Sequence, residues 1–120
     1  MPARKKKGMT WDDLRAVART LVGVEDGTSY GTPALKAKGK LLARLKEDGE
    51  TVALDVGFAE REELIAKWPK AFYFTEHYAS APFVLMRLAE VSEPRVRALL
   101  FHIWHRLAPE ANSKSRSKGR

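Results

Sequence analysis

Five basic side chains, Lys36, Lys38, Lys40, Arg44 and Lys46, fall at near-even spacing in the first half of the chain. On two paired strands that spacing sets them on one side, where like charges crowd one another unless an anion joins them. The chemistry they offer is capture of backbone phosphates by a β-ribbon. The plainer alternative is a solvated lysine face that discourages edge-to-edge pairing. Arg95, His102, His105 and Arg106 form a second cationic set near the C-terminal end. Tyr30, Trp68, Tyr73, His77 and Tyr78 are suited to lining a small cavity or stacking on bases, or to packing at the rim of the fold.

Other chemistries find little support. His102 and His105 stand at a spacing that can share a metal, yet there is no cysteine, no carboxylate lies within a turn, and Arg95 and Arg106 would repel a cation. No metal site is expected. Ser29 and Ser80 have no nucleophile motif around them, and neither a phosphate-binding glycine loop nor a dinucleotide fingerprint is present. Glu60, Glu62 and Glu63 read as partners of a helix dipole rather than an acid–base pair. Neither an enzyme nor a cofactor is expected.

The charge is unevenly placed. The 120 residues carry a net +7. Arg4, Lys5, Lys6 and Lys7 at one end, and Lys114, Arg116, Lys118 and Arg120 against Glu110 at the other, account for all of it. Segments of that composition bury too little apolar surface to offset their ordering entropy, so residues 1–9 and 110–120 are expected to be disordered tails around one domain, residues 10–109. Basic arms on a neutral body suggest a polyanionic partner. They also serve as solubilising ends with no partner at all. Without an apolar run of about 20 residues no membrane span is expected, and the basic opening has no apolar segment of a signal peptide behind it. The absence of cysteine fits a cytoplasmic protein.

The elements that must position these groups follow from periodicity. Thr10 and Asp13 suggest a capping box, and Leu14, Val17, Ala18 and Leu21 form one helical stripe ending at Gly23. Residues 23–33, rich in glycine, read as a loop. Strands are expected from Pro33 to the Lys38-Gly39 turn, over 40–46 with Leu41, Ala43 and Leu45 inward and Leu42 outward, and over 51–56 with Val52, Leu54 and Val56 inward. A helix from about Ala59 to the residues before Pro69 follows. Strands over 71–76 and 82–88 come next, then a helix opened by Ser92-Glu93-Pro94 with an apolar arc of Val96, Leu99, Leu100, Ile103, Trp104 and Leu107. Helix, three strands, helix, two strands, helix is an α+β domain with helices packed on an antiparallel sheet.

Within that order, residues 25–46 hold an acidic loop, Gly31-Thr32-Pro33, Leu35-Lys36 and a Lys38-Gly39-Lys40 turn into a strand. His77-Tyr78, Pro82 and Val84-Leu85-Met86-Arg87-Leu88 form a second marker. The chain thereby resembles the MmcQ/YjbR-like proteins over residues 9–109, with Leu35 where many members have phenylalanine. The resemblance implies a small bacterial α+β protein, similar in fold to the secretion-chaperone and frataxin-like sandwiches and of a family commonly labelled DNA-binding. It carries over no catalytic residue. The function expected is non-enzymatic binding of nucleic acid, DNA in particular, through the tails, the hairpin lysines and the Arg95/Arg106 helix face. The rivals are a protein-interaction adaptor of secretion-chaperone type and a small-molecule binder using Tyr30, Trp68, His77 and Tyr78.

Overall fold

In the computed structural model, residues 8–107 are described; the limit at 110 and the basic ends Arg4, Lys5, Lys6, Lys7, Lys114, Arg116 and Lys118 lie outside them, while Met9, expected in the tail, packs against the core and donates its N–H to Leu88 O at 2.9 Å. Helix α1 spans Trp11–Ala18, strands β1 to β4 Val24–Ser29, Thr32–Ala37, Lys40–Leu45 and Thr51–Asp55, and α2 Phe58–Lys67. Strands β5 (Phe72–Tyr73) and β6 (Phe83–Arg87) and helix α3 (Glu93–Leu107) complete the chain, with single 3-10 turns at Glu76–Tyr78 and Leu88–Glu90. The sheet is antiparallel throughout, in the order β1-β2-β3-β4-β6-β5. The expected α+β class holds.

Local signals act where expected. The Thr10 hydroxyl accepts from Asp13 N at 3.1 Å, and the Asp13 carboxylate accepts from Thr10 N at 3.0 Å, closing the capping box. Leu14, Val17 and Ala18 then enter one core with Val52, Leu54 and Val56 of the sheet and Val96, Leu99, Leu100, Ile103 and Trp104 of α3. Leu64 brings α2 into the same core, so all three helices cover one face of the sheet. Trp104 is buried, and its Nε1 donates to Val22 O at 2.8 Å, tying α3 to the end of the α1 turn.

Two expectations fail locally. Residues 24–29, read as loop, form the edge strand β1, paired residue by residue with β2 from Val24↔Ala37 to Ser29↔Thr32. Both hairpin turns have two central residues at positive φ, Tyr30 (54°) with Gly31 (82°) and Lys38 (56°) with Gly39 (77°), the type I′ geometry that matches strand twist. The β2–β3 register also shifts between Leu35 and Lys36. This bulge gives β3 one extra residue, so Leu42 and Ala43 both turn into the core. Leu41 goes to the other face, opposite Lys36. Leu41 inward and Leu42 outward is therefore reversed.

Asp26 clamps β1 to α1. Arg15 donates to its two carboxylate oxygens at 2.7 and 3.0 Å, and Arg19 adds a further bond. These guanidiniums, Arg15 first, hold the Asp26 carboxyl below its ordinary range. Asp48 is also lowered, by the amide of Glu50 first and then by Thr51, whose hydroxyl and amide it binds in the β3–β4 turn. Asp55 has the opposite shift, raised by burial against the pull of Arg106. A lowered carboxyl stabilises the fold above its unfolded value and loses that contribution as pH falls through its folded value. Unfolding midpoints are therefore expected to drop as pH falls below about 4, and Asp26→Asn should flatten that acid limb. Thermal scans between neutral and acidic pH read this; an unchanged limb in Asp26→Asn would contradict the assignment.

Candidate nucleic-acid interface

The sheet face away from the helices gathers cations and rings. Register runs one row across it: Gly27, Ala34, Arg44, Ala53, Leu85 and Tyr73. Lys36, Leu41, Lys46, Phe83 and Arg87 lie on the same face by strand alternation. No helix covers it among the described residues, yet Ala34, Ala53 and Leu85 are buried.

Cations and rings meet in pairs there. The Arg44 guanidinium lies 5.1 Å from the Tyr30 ring centroid, Lys46 Nζ 5.1 Å from that of Tyr78, and Arg87 4.1 Å from that of Tyr73. Lys46 Nζ also donates to the Tyr78 hydroxyl at 3.2 Å. Tyr78 leans on Phe83 at 5.8 Å and receives His77 edge-on at 4.9 Å. Arg44 is buried, with Nε donating to Ser29 O at 2.9 Å and Nη2 to Glu47 at 2.7 Å. It is a structural cation that supports the Tyr30 turn.

The loop carrying His77 and Tyr78 is held from behind. Arg61 of α2 is only 4% exposed. One terminal nitrogen donates to Tyr78 O (2.9 Å), Ala81 O (2.8 Å) and Phe83 O (3.2 Å), and the other to Ala79 O at 3.2 Å. Its plane sits 3.9 Å from the Phe74 ring centroid, with Phe58 at 5.0 Å. Its Nε faces Glu62 at 3.9 Å, beyond hydrogen-bond reach. A guanidinium solvated by loop carbonyls is what fixes Tyr78. Sequence reasoning missed Arg61, because an isolated arginine in a polar helix reads as surface.

The five hairpin cations do not form one face. Lys36 lies on the open face, its stem over Gly27. Lys38 sits in the turn. Lys40 pairs with Ala37, a core-side position, at the exposed strand end. Arg44 is committed internally, and Lys46 holds Tyr78. The helix set divides as well. Arg106 donates to Asp55 Oδ1 at 3.0 Å and lies over Gly57, whose φ of 91° no side chain adopts readily. Arg95 stacks on Trp68 at 3.6 Å beside a groove of about 170 Å³ between α2 and α3. Trp68 is thus on the helical side, apart from Tyr30, His77 and Tyr78, and the single aromatic pocket is not formed. His102 lines the same groove, and His105 lies 5.9 Å from Phe101. Among the described residues no three histidines or carboxylates are placed to share a metal, and no helix is long and apolar enough to cross a membrane.

No family model and no curated relative matches the chain. Among solved structures it is similar to Deinococcus radiodurans protein DR2400, described as carrying a DUF419 domain. The TM-score is 0.70 at 22% identity, over 91% of this chain and 86% of that one. At that identity the likeness establishes a shared fold.

Proposed function

We propose that this protein is a non-enzymatic nucleic-acid-binding protein, DNA being its partner, and that it engages backbone phosphates first through the β2–β3 hairpin tip. One observation carries the reading. Arg15, Arg19, Arg44, Arg97 and Arg106 are each paired with a carboxylate, whereas Lys36, Lys38 and Lys40 have none within ion-pair distance among the described residues. Paired arginines hold the body together; the lysines are left to meet an anion. Lys46 and Arg87 extend the positive strip over the open face, and the basic ends add attraction at long range. The Gly31-Thr-Pro33 and Lys38-Gly39 string supports placing the chain among MmcQ/YjbR-like bacterial proteins of the cytoplasm, and the fold shared with DR2400 is compatible with it.

A second reading has its own support. Between α1 and α3, Val17, Leu21, Pro94, Ala98 and Phe101 line an apolar groove of about 490 Å³, with Val22 and Phe101 63% and 52% exposed nearby. Such a patch suits a protein-interaction adaptor. The two readings separate in one experiment. Replacing Lys36, Lys38 and Lys40 together by alanine should weaken DNA binding at low salt by about tenfold or more, from the loss of two to three phosphate contacts, with no change in the unfolding midpoint. Unaltered binding in that variant would remove the hairpin from the interface. Native-lysate capture that survives nuclease would favour the adaptor.

A further inference from the structure

We infer that the open sheet face binds single-stranded DNA, with bases stacking on Tyr30 and Tyr78 and phosphates meeting Lys36, Lys46 and Arg87; this rests on the nucleic-acid reading above. Tyr30 is the first of the two rings. Its φ of 54° is a left-handed conformation, which a tyrosine adopts at a cost that glycine or asparagine would avoid. Burial does not offset that cost, since Tyr30 is 87% exposed. The type I′ turn sets that φ, as at Lys38, and what sets Tyr30 apart is a large ring with no core role held outward at the turn. Arg44 stands against the ring, anchored by Ser29 and Glu47, so the ring is supported yet remains open to an incoming π-face.

The second ring is half-buried and fixed in place. Tyr78 is braced by Phe83 and His77, pinned at its hydroxyl by Lys46 and held through its carbonyl by Arg61. Arg44 of β3 and Lys46 just past its end, two positions apart, set Tyr30 and Tyr78 over the same face. The cations beside the rings suit phosphates. Lys46 donates only to a hydroxyl and Arg87 only to Lys70 O, and neither has a carboxylate partner among the described residues. Aromatic faces engage only bases that are unstacked and unpaired, which selects single strands over duplex.

The test is fluorescence anisotropy on the full chain with labelled oligo-dT, a blunt duplex of equal length and oligo-rU. Oligo-dT should bind about tenfold tighter than duplex, and no weaker than oligo-rU. Tyr30→Ala and Tyr78→Ala should each weaken oligo-dT binding by roughly fivefold or more, the range for one stacked base, with the salt slope unchanged. Tyr30→Phe should restore it. Lys36→Ala should instead reduce the slope by about 0.7. Tyr30 is so exposed that its replacement leaves folding intact, which covers the case where Tyr78→Ala disturbs the loop. Duplex binding as tight as oligo-dT, with both tyrosine variants unaffected, overturns stacking while leaving the hairpin reading in place. A tenfold preference for oligo-rU overturns the choice of DNA. Absence of binding to all three probes at low salt overturns both readings.

Discussion

Arg61→Ala should destabilise the protein by about 3–5 kcal/mol, combining lost packing of a buried stem with carbonyls that lose their charged donor. Four backbone oxygens, of Tyr78, Ala79, Ala81 and Phe83, accept from this one side chain, and Tyr78 O accepts from Ala81 N as well. Water reaches some of them in the variant, which is why the penalties do not simply add. Arg61→Lys keeps the charge but replaces a planar fork with one point donor, and should recover only part of the loss. Urea unfolding gives the size of the effect, and amide exchange over 76–83 gives its location. The lysine variant should show faster exchange there while the β3 and β4 amides stay protected. A loss under about 1 kcal/mol in Arg61→Ala, well below the desolvation penalty of even the better-buried oxygens, would mean the loop holds itself. The loop carries Tyr78, so both variants should also weaken oligo-dT binding more than duplex binding.

The second large effect is electrostatic. Residues 8–107 contain as many acidic as basic side chains, so the whole +7 resides outside them. Each phosphate neutralised on duplex DNA contributes about −0.9 to the slope of log affinity against log salt, and about −0.7 on a single strand. With most of the terminal charges engaged, the full chain should show a duplex slope of roughly −5 to −6. Between 50 and 200 mM salt that amounts to about a thousandfold loss of affinity. A chain cut to residues 8–107 keeps every core residue named above and the Met9 N to Leu88 O bond. Its slope should flatten to about −1 to −3, set by the hairpin lysines, Lys46 and Arg87. Equal slopes for the two chains would show that the ends contribute solubility only.

The helices and the central strands are legible from residue order because their signals are local. Thr10 with Asp13, the Leu14–Val17–Ala18 stripe, the Val52–Leu54–Val56 alternation and the broad apolar arc of α3 each specify a period and a face within a few residues. The cationic hairpin and its Lys38-Gly39 turn were legible for the same reason. Strand β1 was not: Val-Glu-Asp-Gly-Thr-Ser has one core residue, Val24, and becomes a strand only through its ladder with β2 and the Asp26 clamp to α1. A bulge leaves little trace in a run such as Leu41-Leu42-Ala43, where every residue is apolar.

By itself the sequence determined the α+β class, the three helices, the neutral body with charged ends and the residues that bear cations and rings. Only the tertiary structure decided which of them act together. It separated Trp68 from Tyr30 and Tyr78, gave Arg106 to Asp55, buried Arg44 beneath Tyr30 and set Arg61 behind the Tyr78 loop. The physical reason is range. Periodicity and capping are decided by neighbours within a turn or two, whereas a charge's partner comes from whichever strand or loop the folded chain brings to it. Arg61 finds its carbonyls 17 to 22 residues away and Arg106 finds its carboxylate 51 away, and no local pattern encodes either meeting.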